Sequence, residues 1–454
     1  MNRFLRTLTL PLDVGIRANE IALALSRYGV AEMLGSLGLE FSRRGLGAVG
    51  ARKGPQQPMD KVFGKRLARL FVKLGPTFIK LGQVLATRPD LVGDPVANEL
   101  KILFDRVPAL PYHKIRKILT RELGRQKLKT AFKEIDPSPL ASASIGQTHR
   151  AILADGTPVV LKIQKPGVSE TVRTDLVLLE ALVRSIHVLY PRLQALPVFK
   201  DFRDATLREI DFRLEAQNIA RFRKNYRRLF SDAEVAFPRY FPDLTTERVL
   251  ALEPMHGRKV TDIKSGSTVA RQVASLGLAK VLEQIFDHGF FHADPHAGNL
   301  FFLEDTGRLG FIDMGLVGQL EADDKRRFLR VLMSVLNRDR EKLARSLYEL
   351  GKAGRNTKYE TFEGDIAQLL DDVKKTGVDK MRLDQMVTSL LRVARQNGIV
   401  IPNRYILMIR SCVVIEGVAK SLDPKISVFR IATPIIARSL MNSYNPLRYL
   451  RRLF

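Results

Sequence analysis

The stretch FFHADPHAGNLFF, residues 290–302, sets four polar side chains between two pairs of phenylalanines. Paired aromatics of this kind bury, so His292, Asp294, His296 and Asn299 must either satisfy one another internally or serve a ligand. His292 stands two residues before Asp294, and Asn299 five residues after it. A second apolar run, LGFIDMG at 309–315, carries one carboxylate, Asp313. A carboxylate and a side-chain amide are the hard oxygen donors that a divalent cation takes from a protein when phosphate oxygens supply the rest. Any fold for this chain has to account for these two runs together.

The Asp-to-Asn spacing, with a histidine two residues ahead, is that of the kinase catalytic loop, and F-I-D-M-G is a variant of the magnesium-holding D-F-G. Two other readings compete. His292, Asp294 and His296 could ligate zinc or iron, but Asn299 and Asp313 would then have no task. A polar loop with a purely structural role is the second, and it requires every polar group to be paired internally.

Upstream, the chain from about residue 131 breaks into short apolar runs separated by turn signals: ASASIGQ as a loop, THRAIL, the turn ADGTP, then VVLKIQ. Asp155-Gly156 predicts a hairpin. Alternation puts Lys162 on the strand face opposite Leu161 and Ile163. A lone strand lysine is ordinarily a solvated edge residue. Here REIDFRLEAQN, residues 208–218, reads as a helix whose Glu209, Asp211 and Glu215 line an acidic edge, and a carboxylate there can orient the lysine toward phosphates.

After about residue 268 helical patterns dominate, apart from short runs at Asn299–Phe302 and Leu309–Ile312 that read as a small hairpin. The helix-like EADDKRRFLRVLMSVL follows Asp313 so soon that no activation segment fits between them. Strands first and helices second make an α+β chain. Residues 61–130 carry helical periodicity, including a basic amphipathic helix and a second helix, PTFIKLGQVLATRPDLV, with Lys80 and Gln83 one turn apart. Residues 1–60 read as an amphipathic arm ending in GLGAVGARKGPQQP. Gly45, Gly47 and Gly50 match G-x-G-x-x-G, but no strand precedes them and Pro55 and Pro58 follow, so the stretch reads as a linker.

The 454 residues carry a formal charge of +26, which calls for an anionic partner surface, lipid headgroups or nucleic acid. The single cysteine, Cys412, excludes an intrachain disulfide framework and reads as a core thiol in a reducing compartment. The N-terminus has no apolar signal core, and no run is long and uncharged enough to span a bilayer. The expectation is a cytoplasmic protein, peripheral at the inner face of the membrane.

With these residues assembled, the chain resembles the UbiB protein-kinase-like family of ubiquinone-biosynthesis accessory proteins. Three motifs carry the likeness. Lys80-Leu81-Gly82-Gln83 matches K-x-G-Q, which in the family belongs to a helical extension folded across the peptide-substrate site. Ala141-Ser142-Ala143-Ser144-Ile145-Gly146 matches the alanine-rich nucleotide loop, with Ser142 where the pattern usually has another alanine. Glu209-Ile210-Asp211 matches E-x-D, and the resemblance makes Glu209 a partner for Lys80 or for magnesium.

The resemblance implies a two-lobed α+β kinase-like fold with an N-terminal helical extension. Its segments would be an arm at 1–60, the extension at 61–130, an N-lobe with a helical insertion at 131–255, and a C-lobe with a basic tail at 256–454. It implies ATP or ADP with Mg2+ held between the lobes: Lys162 on phosphates, Glu215 orienting it, Asn299 and Asp313 on metal, Asp294 orienting the attacking group. Lys80, Gln83, Glu209 and Asp211 would border the pocket. The implied activity is a slow, membrane-stimulated ATPase supporting quinone biosynthesis. Its partners would be an anionic lipid surface and quinone-pathway proteins or lipids, not nucleic acid. A phosphotransferase acting on a small molecule or lipid, and a non-catalytic nucleotide-switched binding protein, are the rival readings. The tail VFRIATPIIARSLMNSYNPLRYLRRLF reads equally as a membrane-surface helix or a solvated one.

Overall fold

A computed structural model of the chain describes residues 12–28, 57–86, 92–104, 108–189, 195–228, 234–337, 339–354, 357–376 and 383–443. Two units make up the chain: Met1–Arg213 with Phe241–Leu252, and Leu214–Tyr240 with Glu253–Phe454. The glycines at 45, 47 and 50, and the last eleven residues of the basic tail, lie outside the described residues.

In the first unit, helices α1 (Leu12–Arg27), α2 (Gln57–Leu74), α3 (Pro76–Ala86) and α4 (Asp94–Leu100) precede α5 (Tyr112–Leu123) and α6 (Arg125–Ala131). Pro58 falls in the first turn of α2 rather than in a linker, a position where proline's missing N–H costs nothing. Strands β1 (Phe132–Ser142), β2 (Gly146–Leu153), β3 (Pro158–Gln164) and β4 (Val249–Leu252) form an antiparallel sheet in that order. The alternation read from the sequence decides its faces. Leu161 and Ile163 are fully buried against Ile115, Ile118 and Leu119 of α5, and Lys162 between them points the other way.

The turn at Asp155-Gly156 is a four-residue connection, Ala154 to Thr157, in which Gly156 takes a left-handed φ of 85° and Leu153 N–H donates to Thr157 O. The expected loop ASASIGQ is shorter than its sequence suggested. Ala141 and Ser142 pair with Thr148 and Gln147, leaving a tight turn of Ala143, Ser144 and Ile145. After α7 (Val168–Leu189), the expected single helix at 208–218 is two: α8 (Ala195–Glu209) stops, Ile210 and Asp211 turn the chain, and α9 (Phe212–Arg228) restarts. The acids are therefore not on one helical edge.

In the second unit, α10 (Thr268–Glu283) is capped by Ser267, whose side chain accepts from Ala270 N–H. It runs into a π-turn at Gln284–His288 that ends on Gly289, with left-handed φ of 65°. A side chain there would strike Leu320 O at 2.6 Å, so glycine is required. Strand β5 (Phe290–His292) follows, then the hairpin of β6 (Leu300–Leu303) and β7 (Arg308–Phe311), and β8 (Val317–Gln319), which pairs with β5. Helix α11 (Ala322–Leu336) begins in a capping box of Glu321 and Asp324, nine residues beyond Asp313. Helices α12 (Arg340–Leu350), α13 (Tyr359–Thr376), α14 (Leu383–Gln396), α15 (Asn403–Leu422) and α16 (Val428–Ser443) complete the unit. Among the described residues no helix is long and apolar enough to cross a membrane.

Candidate functional site

Two strand pairings in the second unit gather the residues of the aromatic-fenced runs. In the β6–β7 hairpin Leu300 pairs with Phe311, and one step further Ile312 N–H donates to Asn299 O at 3.1 Å. Asn299 and Asp313 thus leave the same open end of one hairpin. In the β5–β8 pair His292 faces Val317, and Ala293 N–H donates to Leu316 O at 3.0 Å, so Asp294 enters beside the D-M-G turn. That turn is fixed by its own carboxylate, since Gly315 N–H donates to Asp313 Oδ1 at 2.8 Å, and by Asn218 of α9, which donates to Met314 O at 2.9 Å.

Glu215, on α9 and only 5% exposed, reaches the same place. A Cβ built on Gly315 falls 3.1 Å from Asp313 Oδ1 and 3.8 Å from Glu215 Oε2. Asp313 and Asn299 offer oxygen donors only, a chemistry that suits Mg2+ rather than a soft metal. His292 is buried, and burial pushes its pKa down to about 4, so the ring is neutral at physiological pH. Its Nδ1 accepts from Asp294 N–H at 3.1 Å, which orients the loop. His296 is exposed and accepts from Gly298 N–H at 3.1 Å. Among the described residues no group of three or more His, Cys, Asp or Glu gathers to hold a metal ion.

Sequence reasoning missed what holds Asp294. Arg410 of α15 donates to Asp294 Oδ2 at 2.8 Å, and the next residue, Ser411, donates to His292 O at 2.6 Å. Helix α15 is anchored two turns earlier, where Arg404 and Tyr405 donate to Asp324 Oδ1 at 2.7 and 3.0 Å. The one signal in the sequence was an Arg-Ser pair inside the apolar run RYILMIRSCVVIEG. Cys412, next along, is half-buried with its thiol pushed up to about 12, which leaves it protonated and un-nucleophilic.

In the first unit Lys162 lies half-buried on β3, its Nζ 5.3 Å from the centroid of the Phe212 ring. Lys80 Nζ is 2.5 Å from Glu209 Oε2. Gly82 is demanded by packing, because a Cβ would fall 2.2 Å from Leu103 Cδ1 and 2.6 Å from Phe71 Cδ2. Gln83 donates to Leu103 O at 2.8 Å. Asp211 departs from the expected acidic edge. It accepts from the N–H and guanidinium of Arg213 at the start of α9, and that bonding holds its carboxyl below the usual range.

The alanine-rich turn is closed by Ala143 N–H donating to Gly146 O at 2.8 Å. A side chain at Gly146 would lie 2.9 Å from Ile163 O. Glycine there lets β2 start against β3, two residues from the Thr148–Lys162 pair.

The ABC1 atypical kinase-like domain matches residues 102–347, and the UbiB helical domain matches 366–427. The chloroplastic protein ACTIVITY OF BC1 COMPLEX KINASE 3 of Arabidopsis thaliana is 32% identical over 441 residues, 93% of this chain and 61% of that one. A probable protein kinase UbiB of Shewanella loihica is 31% identical over 408 residues, covering 87% of this chain and 73% of the relative. Among solved structures, the Rv3197–erythromycin complex of Mycobacterium tuberculosis aligns over 80% of this chain and 96% of its own, at 24% identity and a TM-score of 0.48. The α+β architecture is thus kinase-like with a helical extension, and the chain belongs to the UbiB family of ABC1 atypical kinase-like proteins.

Proposed function

We propose that the protein is a Mg2+-dependent ATPase of atypical kinase type that acts at an anionic membrane surface in support of quinone biosynthesis. The observation that carries the reading is the convergence of Asp294, Asn299 and Asp313 through two strand pairings of one unit. Asn299 and Asp313 would hold Mg2+, which when bound neutralises phosphate charge. Lys162 would bind the α and β phosphates, and Glu215 would orient it. Asp294, held by Arg410, would orient the attacking water. Ala141, Ser142, Ala143, Ser144, Ile145 and Gly146 would form the wall beside the phosphates, and Lys80, Gln83, Glu209 and Asp211 the border that keeps out a peptide. The charge of +26 supports an acidic membrane surface as the place of work, each basic residue near it contributing about 1 kcal/mol.

The test is ATP hydrolysis with and without Mg2+, and with and without vesicles of phosphatidylglycerol. Hydrolysis that needs Mg2+, rises with vesicles and vanishes in Asp313→Asn, with nucleotide affinity lost alongside, is expected. Stoichiometric transfer of labelled phosphate to a lipid or small molecule would replace the ATPase reading with a phosphotransferase. Unchanged nucleotide affinity in Asp313→Asn would remove the metal assignment.

A further inference from the structure

Behind the alanine-rich turn lies a lysine that the nucleotide reading leaves without a task. Lys165 follows β3 and is 7% exposed, with its ammonium bonded to two carbonyl oxygens: Ala143 O at 2.8 Å and Pro108 O at 3.1 Å. Its own N–H donates to Ile145 O at 2.8 Å, so one residue grips the turn through both backbone and side chain. Burial lowers its pKa, and a buried ammonium persists only where its hydrogen bonds are made.

Two more contacts join the same partners. Ser142 Oγ donates to Pro108 O at 3.3 Å. Gln147, fully buried, brackets Leu110, accepting its N–H at 2.9 Å and donating to its carbonyl at 3.1 Å. The segment 108–110 is thereby stitched to the turn from Ser142 to Gln147 at four points.

We propose that Lys165 is a positioning residue that, with Ser142, latches the alanine-rich turn onto Pro108 and Leu110, holding it ready for the phosphates of a nucleoside di- or triphosphate. A glycine loop must be ordered when its ligand arrives, whereas a latched one has met that entropy loss during folding. The latch itself stands on contacts within one unit. Its consequence for nucleotide rests on the function proposed above.

The experiment compares the full chain with Lys165→Met, Lys165→Arg and Ser142→Ala by backbone amide exchange and by calorimetric titration with Mg-ADP and Mg-ATP. Lys165→Met is expected to speed exchange at Ala143, Leu110 and Lys165 while Val160 and Leu161 stay protected, and to weaken nucleotide about tenfold, the scale of one charge-assisted hydrogen bond. Lys165→Arg should recover most of both effects, and Ser142→Ala should show a smaller version. Unchanged exchange at the turn in Lys165→Met overturns the latch, and so does a uniform rise across β1 to β4. A wild-type chain that binds neither nucleotide overturns the functional reading instead, and the exchange comparison then decides the latch alone.

Discussion

At the scale of single residues, Asp294 depends on a side chain 116 positions further on. Its carboxylate and the Arg410 guanidinium are each about a quarter exposed, at 27% and 25%, so the pair is partly screened and its worth lies in orientation more than in stability. Removing the clamp while keeping the helix isolates that role. Arg410→Leu is expected to lower the turnover of ATP hydrolysis about a hundredfold, the scale of a displacement of about 1 Å in a reacting group, with Mg-nucleotide affinity little changed. Arg410→Lys, which keeps the charge but not the fork, should fall between. Equal losses in turnover and affinity in Arg410→Leu would assign the arginine to nucleotide binding. The contrast with Asp294, Asn299 and Asp313 shows what a sequence can disclose. Those three are spaced along two short runs, so local order alone marks them. Arg410 joins them only because Asp324 pins the start of α15 two turns away, and no local pattern records that.

At the scale of elements, hairpins were legible and the break at 210–211 was not. The β2–β3 alternation announces its buried face because strand side chains repeat every second residue. REIDFRLEAQN contains neither glycine nor proline, so local propensity favours one helix. Tertiary partners end it: Gln164 donates to Ile210 O at 3.0 Å, and Phe212 N–H donates to Glu247 O at 3.0 Å, so the backbone groups flanking Asp211 are claimed by residues distant in sequence. The same long reach fixes α1. Arg17 donates to Asp175 Oδ1 at 2.7 Å and Oδ2 at 3.2 Å on α7, and to Leu74 O at the end of α2. The Asp175 side chain is fully buried, so removing Arg17 leaves an uncompensated charge and should cost about 3 kcal/mol. An isolated helix of this length is marginal in water, so the loss should appear as undocking of α1. In Arg17→Ala, amide exchange should accelerate across α1 while Leu161 and Ile163 keep their protection. The pair Arg17→Met with Asp175→Leu should restore most of it. A cost below the resolution of exchange would show the pair to be dispensable.

At the scale of the whole molecule, the surplus of positive charge and two histidines, one half-buried and one buried, act together as pH falls. His288 sits at the end of the π-turn with its ring edge-on to Tyr226, at 4.7 Å between centroids. Burial pushes its pKa down to about 4, with Lys325, Lys280 and Arg438 adding repulsion, and burial brings His292 to about 4 as well. In the unfolded chain both rings titrate near 6.5. Between about pH 6.5 and pH 4 the unfolded state therefore takes up protons that the folded state refuses, and stability must fall as pH falls. The loss approaches about 3 kcal/mol for each histidine by pH 4. Lowered carboxyl groups such as Asp211 contribute only further down, once their own protonation begins, so the upper part of the window reports the histidines. Repulsion within a chain already at +26 adds to the slope without changing its sign. With no tryptophan in the sequence, circular dichroism during urea unfolding at pH 7, 6 and 5 is the natural measurement. His288→Phe keeps a ring against Tyr226 and removes one titrating group, so its stability should decline about half as steeply with falling pH. A profile flat from pH 7 to pH 5, or one that His288→Phe leaves unaltered, would mean that His288 is not held neutral by its surroundings.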